Sequence, residues 1–319
     1  MKQLIASLLI LILTSLACSM AIPSRPVPSI NQAALTSTAV TAFPGALPQP
    51  PASASSLTIE QVKNMMINIT GSDQQMHTIQ LKDGKYEQGA DPANTDYISI
   101  NMGEKIAFGD LNADGWPDAA ISLAENHGGT GVFVSAVAVL NKNGQPDQAF
   151  STPIEDRAII NELKIVDAEI QVNATIHGPS DPMCCATVPS TRSYRLIENN
   201  LVLSRLSTKT VNGAERIIRI DSPADGVAIS SPFTIKGSVS IAPFENNLLY
   251  KIYHQGSNDP LDLLGFTIDA DVPGGPGTFE LPLDFTKKGF KGPMRIEISD
   301  TSPADGSTLA LCTLYLNLK

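Results

Sequence analysis

The residues with the clearest capacity for chemistry are the oxygen-bearing side chains that alternate along positions 110–118. Asp110, Asn112 and Asp114 occupy every second position, a glycine follows them, and Asp118 ends the segment. A hard cation such as calcium takes about six to eight oxygen ligands. This spacing predicts that the side-chain oxygens fold inward around a tight turn and bind calcium as a structural ion.

Two further loop residues complete the predicted site. We expect Trp116 to supply its backbone carbonyl oxygen, and Gly115 to allow the sharp turn. The loop resembles the calcium loops of FG-GAP repeats, in which one strand leads in and another leads out. It does not resemble a full EF-hand, because Ile121 replaces the glutamate that ends that motif. The alternative is an Asx-rich turn held by its own hydrogen bonds.

A histidine followed by two glycines, at positions 127–129, offers a second kind of chemistry. Backbone N–H groups in such a loop could stabilise an oxyanion, which would suit an envelope hydrolase built from His127, Asp181 and residues 177–185. The chain contains no G-x-S-x-G nucleophile motif. Its four histidines are far apart in sequence, which disfavours a zinc enzyme. We therefore favour a glycine-rich connection and expect no catalytic residues.

The first folded domain, residues 57–207, must position these groups. Residues 58–61 fit a capping box, and apolar residues at 62, 65, 66 and 69 have helical spacing, which predicts a short amphipathic helix. The alternating segments after it predict strands, among them the apolar run at 131–140. We expect an α+β domain, with one helix on a mainly antiparallel sheet.

The second folded domain, residues 213–319, is predicted to be all-β. About seven alternating segments of similar length are separated by turn residues, a pattern typical of a β-sandwich. The predicted strands cover residues 216–221, 233–239, 248–254, 263–270, 278–285, 294–299 and 309–318.

Specific residues of this domain carry a family resemblance. They include two Ser-Pro pairs, at 222–223 and 231–232, Gly237, the Phe244-Glu245 pair and a Gly-Thr-Phe segment at 277–279. In this order they resemble the immunoglobulin-like domain of bacterial spore germination proteins. The resemblance implies a binding or assembly module without catalytic residues, with Phe244 in its core and Gly237 at a close backbone approach.

The N-terminus predicts export and a lipid anchor. Residues 1–17 combine Lys2 with an apolar run at 4–13, which is typical of a bacterial signal peptide and too short for a transmembrane helix. Residues 14–18 resemble a lipobox in which Cys18 receives the lipid. The alternative is ordinary signal cleavage. Residues 18–56 are rich in Pro, Ala and Ser and predict a flexible linker.

The remaining cysteines are Cys184, Cys185 and Cys312. Thiols of exported proteins tend to oxidise, and three cysteines cannot all pair within one chain. Cys312 shares a strand face with Leu314 and other apolar residues, so we expect it to be buried. This favours a disulfide between Cys184 and Cys185; two free thiols or a bridge to Cys312 are the alternatives, and a redox sensor is a third functional hypothesis.

Composition limits the function further. The chain has 319 residues, 42% of them hydrophobic, and a formal net charge of −10. It can therefore build folded cores, and its acidity disfavours nucleic-acid partners. The sequence predicts a non-catalytic, lipid-anchored envelope protein on the outer face of a bacterial membrane, which binds an unidentified envelope protein or glycan.

Overall fold

The computed structural model describes residues 56–70, 76–94, 96–287 and 289–319. The predicted signal peptide, Cys18 and nearly all of the predicted linker lie outside these residues. Within them, no helix is long and apolar enough to cross a membrane. The described residues belong to one compact unit, Leu47–Lys319.

The described residues form one short α-helix, α1, which spans Ile59–Lys63, and 21 strands. The strands of its first half are β1 (Met66–Thr70), β2 (Met76–Gln80), β3 (Lys85–Gln88), β4 (Ile98–Gly109), β5 (Asp118–Asn126), β6 (Phe133–Lys142), β7 (Gln145–Asp156), β8 (Ile159–Val166), β9 (Glu169–Ile176), β10 (Val188–Ile197) and β11 (Asn200–Lys209). Those of its second half are β12 (Glu215–Arg216), β13 (Ile218–Ser222), β14 (Ala228–Ile229), β15 (Phe233–Val239), β16 (Asn247–His254), β17 (Asp262–Thr267), β18 (Asp269–Ala270), β19 (Gly277–Leu283), β20 (Gly292–Thr301) and β21 (Thr308–Leu318).

Helix α1 begins with the predicted capping box. The Thr58 side chain accepts the Gln61 N–H, and the Gln61 side chain accepts the Thr58 N–H. The predicted extension of this helix to residue 69 is wrong, because β1 begins at Met66. Ile67 and Ile69 are both buried, a period of two that suits β-branched residues in a strand paired with β2. The first half is therefore almost entirely β-structure, and the expectation of a helix-on-sheet domain overstated its helical content.

A five-stranded antiparallel sheet, β3-β4-β5-β6-β7, occupies the centre of the first half. Its two faces bury different cores. Ala119 and Ile121 on β5 pack with α1, β1 and β2, whereas Ala120 between them packs with residues of β8 to β11. This alternation follows from the pleat of the strand, and it makes the first half a layered structure.

The second half is a sandwich of two sheets whose strands pair antiparallel, except that the short β14 pairs parallel with β21. Strands β13-β15-β19-β18 form one sheet, and β17-β16-β20-β21 belong to the other. The core between them includes Ile235 and Phe279 from the first sheet and Ile252 and Ile296 from the second. Every one of the seven predicted strands is present, although residues 263–270 are divided between β17 and β18.

Two residue expectations for the sandwich have different outcomes. A Cβ atom on Gly237 would overlap the Arg219 carbonyl oxygen and the Phe279 ring, so this close approach requires glycine. Phe244 is not in the core as expected: its exposed fraction is 63%. It lies in a short turn before β16, and Leu248 inside that strand is buried instead.

The two halves share one sheet. Strand β11 of the first half pairs antiparallel with β21 of the second, with Arg205 opposite Cys312 and Leu206 opposite Leu311. This pairing joins β8-β9-β10-β11 to the sandwich in a ten-stranded sheet. The Thr208 hydroxyl adds a hydrogen bond of 2.7 Å to the Leu309 carbonyl oxygen.

Candidate functional site

The loop with the predicted calcium ligands connects β4 to β5. Its two ends are adjacent, because Gly109 at the end of β4 pairs with Asp118 at the start of β5. Gly115 has φ of +87°, a conformation that glycine adopts readily. Ala113 also has a positive φ, of +60°, so the loop turns sharply in two places.

Side-chain oxygens within the loop accept its backbone N–H groups. The Asp110 carboxylate accepts hydrogen bonds from the N–H groups of Asp114 at 3.2 Å and Gly115 at 2.9 Å. The Asn112 amide oxygen accepts from Asp114 at 3.1 Å, and the Asp114 carboxylate accepts from Trp116 at 2.8 Å. Each oxygen has a second lone pair, so these bonds orient the side chains without exhausting their capacity as ligands.

Asp118 differs from the other carboxylates because it is fully buried. Its two oxygens accept the N–H groups of Leu111 and Asn141, each at 2.8 Å. The pKa of Asp118 is raised to about 6, chiefly by burial and also by repulsion from Asp114 and Asp110, whereas the two hydrogen bonds act in the opposite direction. Three carboxylates therefore act on one another in this loop.

Asp118 also connects the loop to its surroundings. Asn141, at the end of β6, donates a side-chain hydrogen bond of 2.9 Å to the Pro117 carbonyl oxygen. The Asn141 side chain accepts the Gly144 N–H, and the Gly144 carbonyl oxygen in turn accepts from the side chain of Gln61 on α1. The loop is thus fixed to the β6–β7 turn and to the first helix.

Among the described residues, no group of three or more His, Cys, Asp or Glu side chains converges closely enough to hold a metal ion. In the structure the loop carboxylates are directed at backbone N–H groups, and Asn112 and Asp114 are exposed. The loop groups that could hold a calcium ion are the side chains of Asp110, Asn112, Asp114 and Asp118, together with the Trp116 carbonyl oxygen.

His127 lies in the glycine-rich connection between β5 and β6. Its Nε2 atom is 3.3 Å from a Glu125 carboxylate oxygen, and its buried Nδ1 atom has no partner within the described chain. The Gly128 N–H donates to the side chain of Asn126, and the Gly129 N–H donates to the Pro92 carbonyl oxygen. These two N–H groups are therefore used within the fold and do not converge on an open oxyanion position.

The loop at residues 177–187 is held by His177 and Asp181. The His177 ring is 3.0 Å from Glu155 at Nδ1 and 3.2 Å from the Met183 carbonyl oxygen at Nε2. Asp181 accepts hydrogen bonds from the Gly178 N–H and from Thr187, and these hydrogen bonds lower the pKa of Asp181. Among the described residues, no hydrogen bond or ion pair joins His127 to Asp181.

This loop carries the adjacent cysteines. Cys184 and Cys185 are exposed and are joined in a disulfide. Cys312 is a free, partly buried thiol that packs against the sandwich core, and burial raises its pKa. Its partners on the same face, Ala310 and Leu314, are buried as the sequence indicates.

The fold brings together several charged groups that could not be selected from the sequence. Glu169 is 3% exposed and accepts hydrogen bonds from Arg195 at 2.9 Å and Arg205 at 2.6 Å. Arg195 also pairs with Asp225 of the second half at 2.7 Å. Glu169, Arg195 and Arg205 come from three different strands and Asp225 from the loop after β13, so no local motif marks them.

Comparison with known proteins finds a similarity for one part of the chain. No curated protein matches the chain. Residues 217–307 match the family model described as the immunoglobulin-like domain of bacterial spore germination. The resemblance expected for the second half is thereby confirmed for these residues, which form most of the sandwich described above.

Proposed function

We propose that the chain is a non-catalytic binding protein of the bacterial cell envelope, and that it binds a protein partner at the edge of its ten-stranded sheet. The observation that carries this proposal is the exposed edge strand β17. The similarity of residues 217–307 to a germination-related immunoglobulin-like domain supports the same class of function.

Strand β17 pairs with β16 on one side only. Leu263 and Leu264 are 49% and 54% exposed, and Leu261 just before the strand is 48% exposed. Adjacent residues of a strand point to opposite faces, so Leu263 and Leu264 expose apolar side chains on both sides of the strand, whereas Phe266 packs against the sandwich core. An unpaired apolar edge of this kind is a template for another strand.

The opposite edge of the same sheet provides a contrast. Strand β8 carries Glu162 and Lys164, which form an ion pair of 2.7 Å. Charged residues, and lysine in particular, discourage strand addition at an edge. Only one charged residue, Asp262, lies within β17. We therefore assign partner binding to β17 and propose that the partner contributes an extended strand.

Site-specific crosslinking tests this assignment. A photoreactive residue at position 264 of the full chain, in membranes of the source bacterium, should give one crosslinked protein. The substitution Leu263→Lys should abolish that product, because a buried unpaired charge is costly at the new interface. The control places the crosslinker at Glu280, which is exposed on β19. The absence of a product at 264, or the same product from 280, would contradict the proposal.

We also propose that Cys18 carries a lipid that anchors the chain to the outer face of a membrane. The apolar run at 4–13 and the small residues before Cys18 support this proposal. Incorporation of a labelled fatty acid tests it. The label should enter the wild-type chain and not Cys18→Ala; equal labelling of both would refute it.

A structural calcium ion is a further proposal, with Asp110, Asn112, Asp114, Trp116 and Asp118 as its ligand set. The repulsion that these carboxylates exert on Asp118 supports it, because a cation would remove that repulsion. At pH 7.5, calcium should raise the melting temperature relative to chelator for the wild type and for Glu280→Gln. Asp110→Asn should reduce the shift, whereas a wild-type chain without any shift would exclude the ion.

Thiol redox sensing is a second candidate function, favoured by the exposed disulfide between Cys184 and Cys185. Accessible disulfides exchange with external thiols more readily than buried ones. Thiol titration of the unfolded, lipidated chain should find one thiol before reduction and three afterwards. If three are found without reduction in the chain isolated from its host, the disulfide is not formed there and this candidate fails.

A further inference from the structure

A cavity of about 400 Å³ lies between strands of the first half and the segment that leads into β21. Its volume falls within the range of about 300–1,000 Å³ that is usual for small-molecule sites. Apolar side chains form much of its wall: Ile154, Ile176, Val188, Leu203 and Leu309. Because β7 belongs to one sheet and β10 and β11 to another, the cavity lies between two layers of the structure.

One cationic side chain in this wall has no anionic partner. Arg192 on β10 is 9% exposed, and its Nε atom is buried without a hydrogen-bond partner in the described part of the chain. Elsewhere in that part, five arginines form ion pairs and one is exposed: Arg157, Arg195, Arg205, Arg216 and Arg295 are paired, and Arg219 is exposed. Arg192 is thus the described arginine that is buried without a carboxylate.

Burial of an unpaired charge is unfavourable, so a buried arginine normally pairs with an anion. The Tyr194 hydroxyl, near Arg192 on the same strand face, is neutral and does not balance the charge. The guanidinium group presents planar N–H donors that match a carboxylate. An anion inside the cavity would therefore supply the negative charge that the protein does not place beside Arg192.

The other charged groups of the wall define which anion fits. Glu155 is paired with the ring of His177, at 3.0 Å. Asp305 accepts hydrogen bonds from the Ser307 N–H and hydroxyl. These two carboxylates contribute negative charge, which disfavours ligands with two or three charges, such as phosphate. The apolar wall in turn favours a ligand with a hydrocarbon portion.

We propose that this cavity binds a small monocarboxylate with an apolar tail, and that Arg192 pairs with its carboxylate. The tail lies against the apolar wall between the two layers. Such a ligand contacts both halves of the chain, because Leu309 belongs to β21 whereas Ile154 and Ile176 belong to β7 and β9.

Calorimetric titration of the full chain in a non-ionic detergent tests the proposal, with hexanoate as the probe. Hexanoate should bind saturably, and uncharged hexanamide should bind about 30-fold more weakly because it lacks the charge-assisted hydrogen bonds. Arg192→Met should remove hexanoate binding. Arg219→Met, which alters an exposed arginine outside the cavity, should leave it unchanged.

A second variant keeps the test decisive if Arg192→Met does not fold. Ser307 is exposed at the cavity wall, so Ser307→Trp should obstruct the cavity without disturbing a core. It should also abolish hexanoate binding. The proposal is overturned if hexanoate gives no saturable heat up to about 10 mM, if phosphate or hexanamide binds as tightly, or if either folded variant retains the affinity of the wild type.

Discussion

Acidification should stabilise this protein in the absence of calcium, because Asp118 is buried. Its pKa is about 6 in the folded chain against an ordinary value of 3.8. The folded state therefore binds more protons than the unfolded state between these two values, and the free energy of unfolding rises as pH falls through 6. The shift corresponds to about 3 kcal/mol, of which about 2 kcal/mol is gained by pH 4 and the rest as pH falls below the ordinary value.

The measurement is denaturant unfolding in chelator at several pH values between 4 and 8, for the wild type and Asp118→Asn. Asp300 is also buried and its pKa is raised by burial, although Arg216 lowers it, so the wild type alone does not isolate Asp118. The asparagine leaves one backbone N–H of Leu111 or Asn141 without an acceptor, a cost of about 1–3 kcal/mol that does not depend on pH.

The difference in unfolding free energy between the two proteins should consequently change by about 2 kcal/mol between pH 4 and pH 7. A difference that stays constant over this range would refute the reasoning, because Asp118 would then titrate identically in the folded and unfolded chains. The pH dependence of the calcium effect is an independent test. Calcium favours the ionised carboxylate, so any stabilisation by calcium should decrease as pH falls through 6.

Two further substitutions test interactions that hold the fold. Glu169→Gln should lower the free energy of unfolding by about 2 kcal/mol, because Glu169 is buried between two arginines. The control Glu280→Gln, in an exposed pair, should lower it by less than about 1 kcal/mol. Equal effects of the two substitutions in denaturant unfolding would contradict this reasoning. Gly237→Ala should lower the free energy of unfolding by about 1–3 kcal/mol, because the added Cβ overlaps backbone. Gly265→Ala, where a Cβ meets only ordinary contacts, should lower it by less. Thermal unfolding of both variants measures the difference.

The strands of the second half could be predicted because each has a regular alternation and clear turn residues. Residues 233–239, for example, alternate between buried and partly exposed positions along the whole of β15. The end of the first helix was harder to predict, because apolar residues within 62–69 fit a helical spacing as well as the alternation of β1. Pairing with β2, which lies about ten residues further along the chain, decides between them.

Phe244 shows why a motif does not fix the position of its side chain. A large aromatic residue within the family-like order of residues predicts a core position, but Phe244 lies in a short turn before β16. Residues of a turn need not follow the pleat that directs Leu248 and Tyr250 into the core. Burial could therefore be predicted from alternation inside a strand and not from residue type in the turn before it.

The chemistry of the Asp loop was visible in the sequence because all its groups lie within nine residues, from Asp110 to Asp118. The sequence could not indicate that Asp118 is buried and accepts the N–H of Asn141, because Asn141 belongs to a different strand. That burial changes the role of the residue. A carboxylate expected only as a ligand also acts as a structural acceptor that joins the loop to the β6–β7 turn.

Arg192 illustrates the same principle over a longer distance. In sequence it is one arginine in a strand of polar and apolar residues. The cavity that it lines is completed only when β21, more than a hundred residues later, pairs with β11 and brings Leu309 to the wall. The charge network of Glu169 depends on the same arrangement, because Arg195 reaches Asp225 in the second half. Both features require the two halves to be joined, so a ligand or a substitution at this junction should affect the halves together.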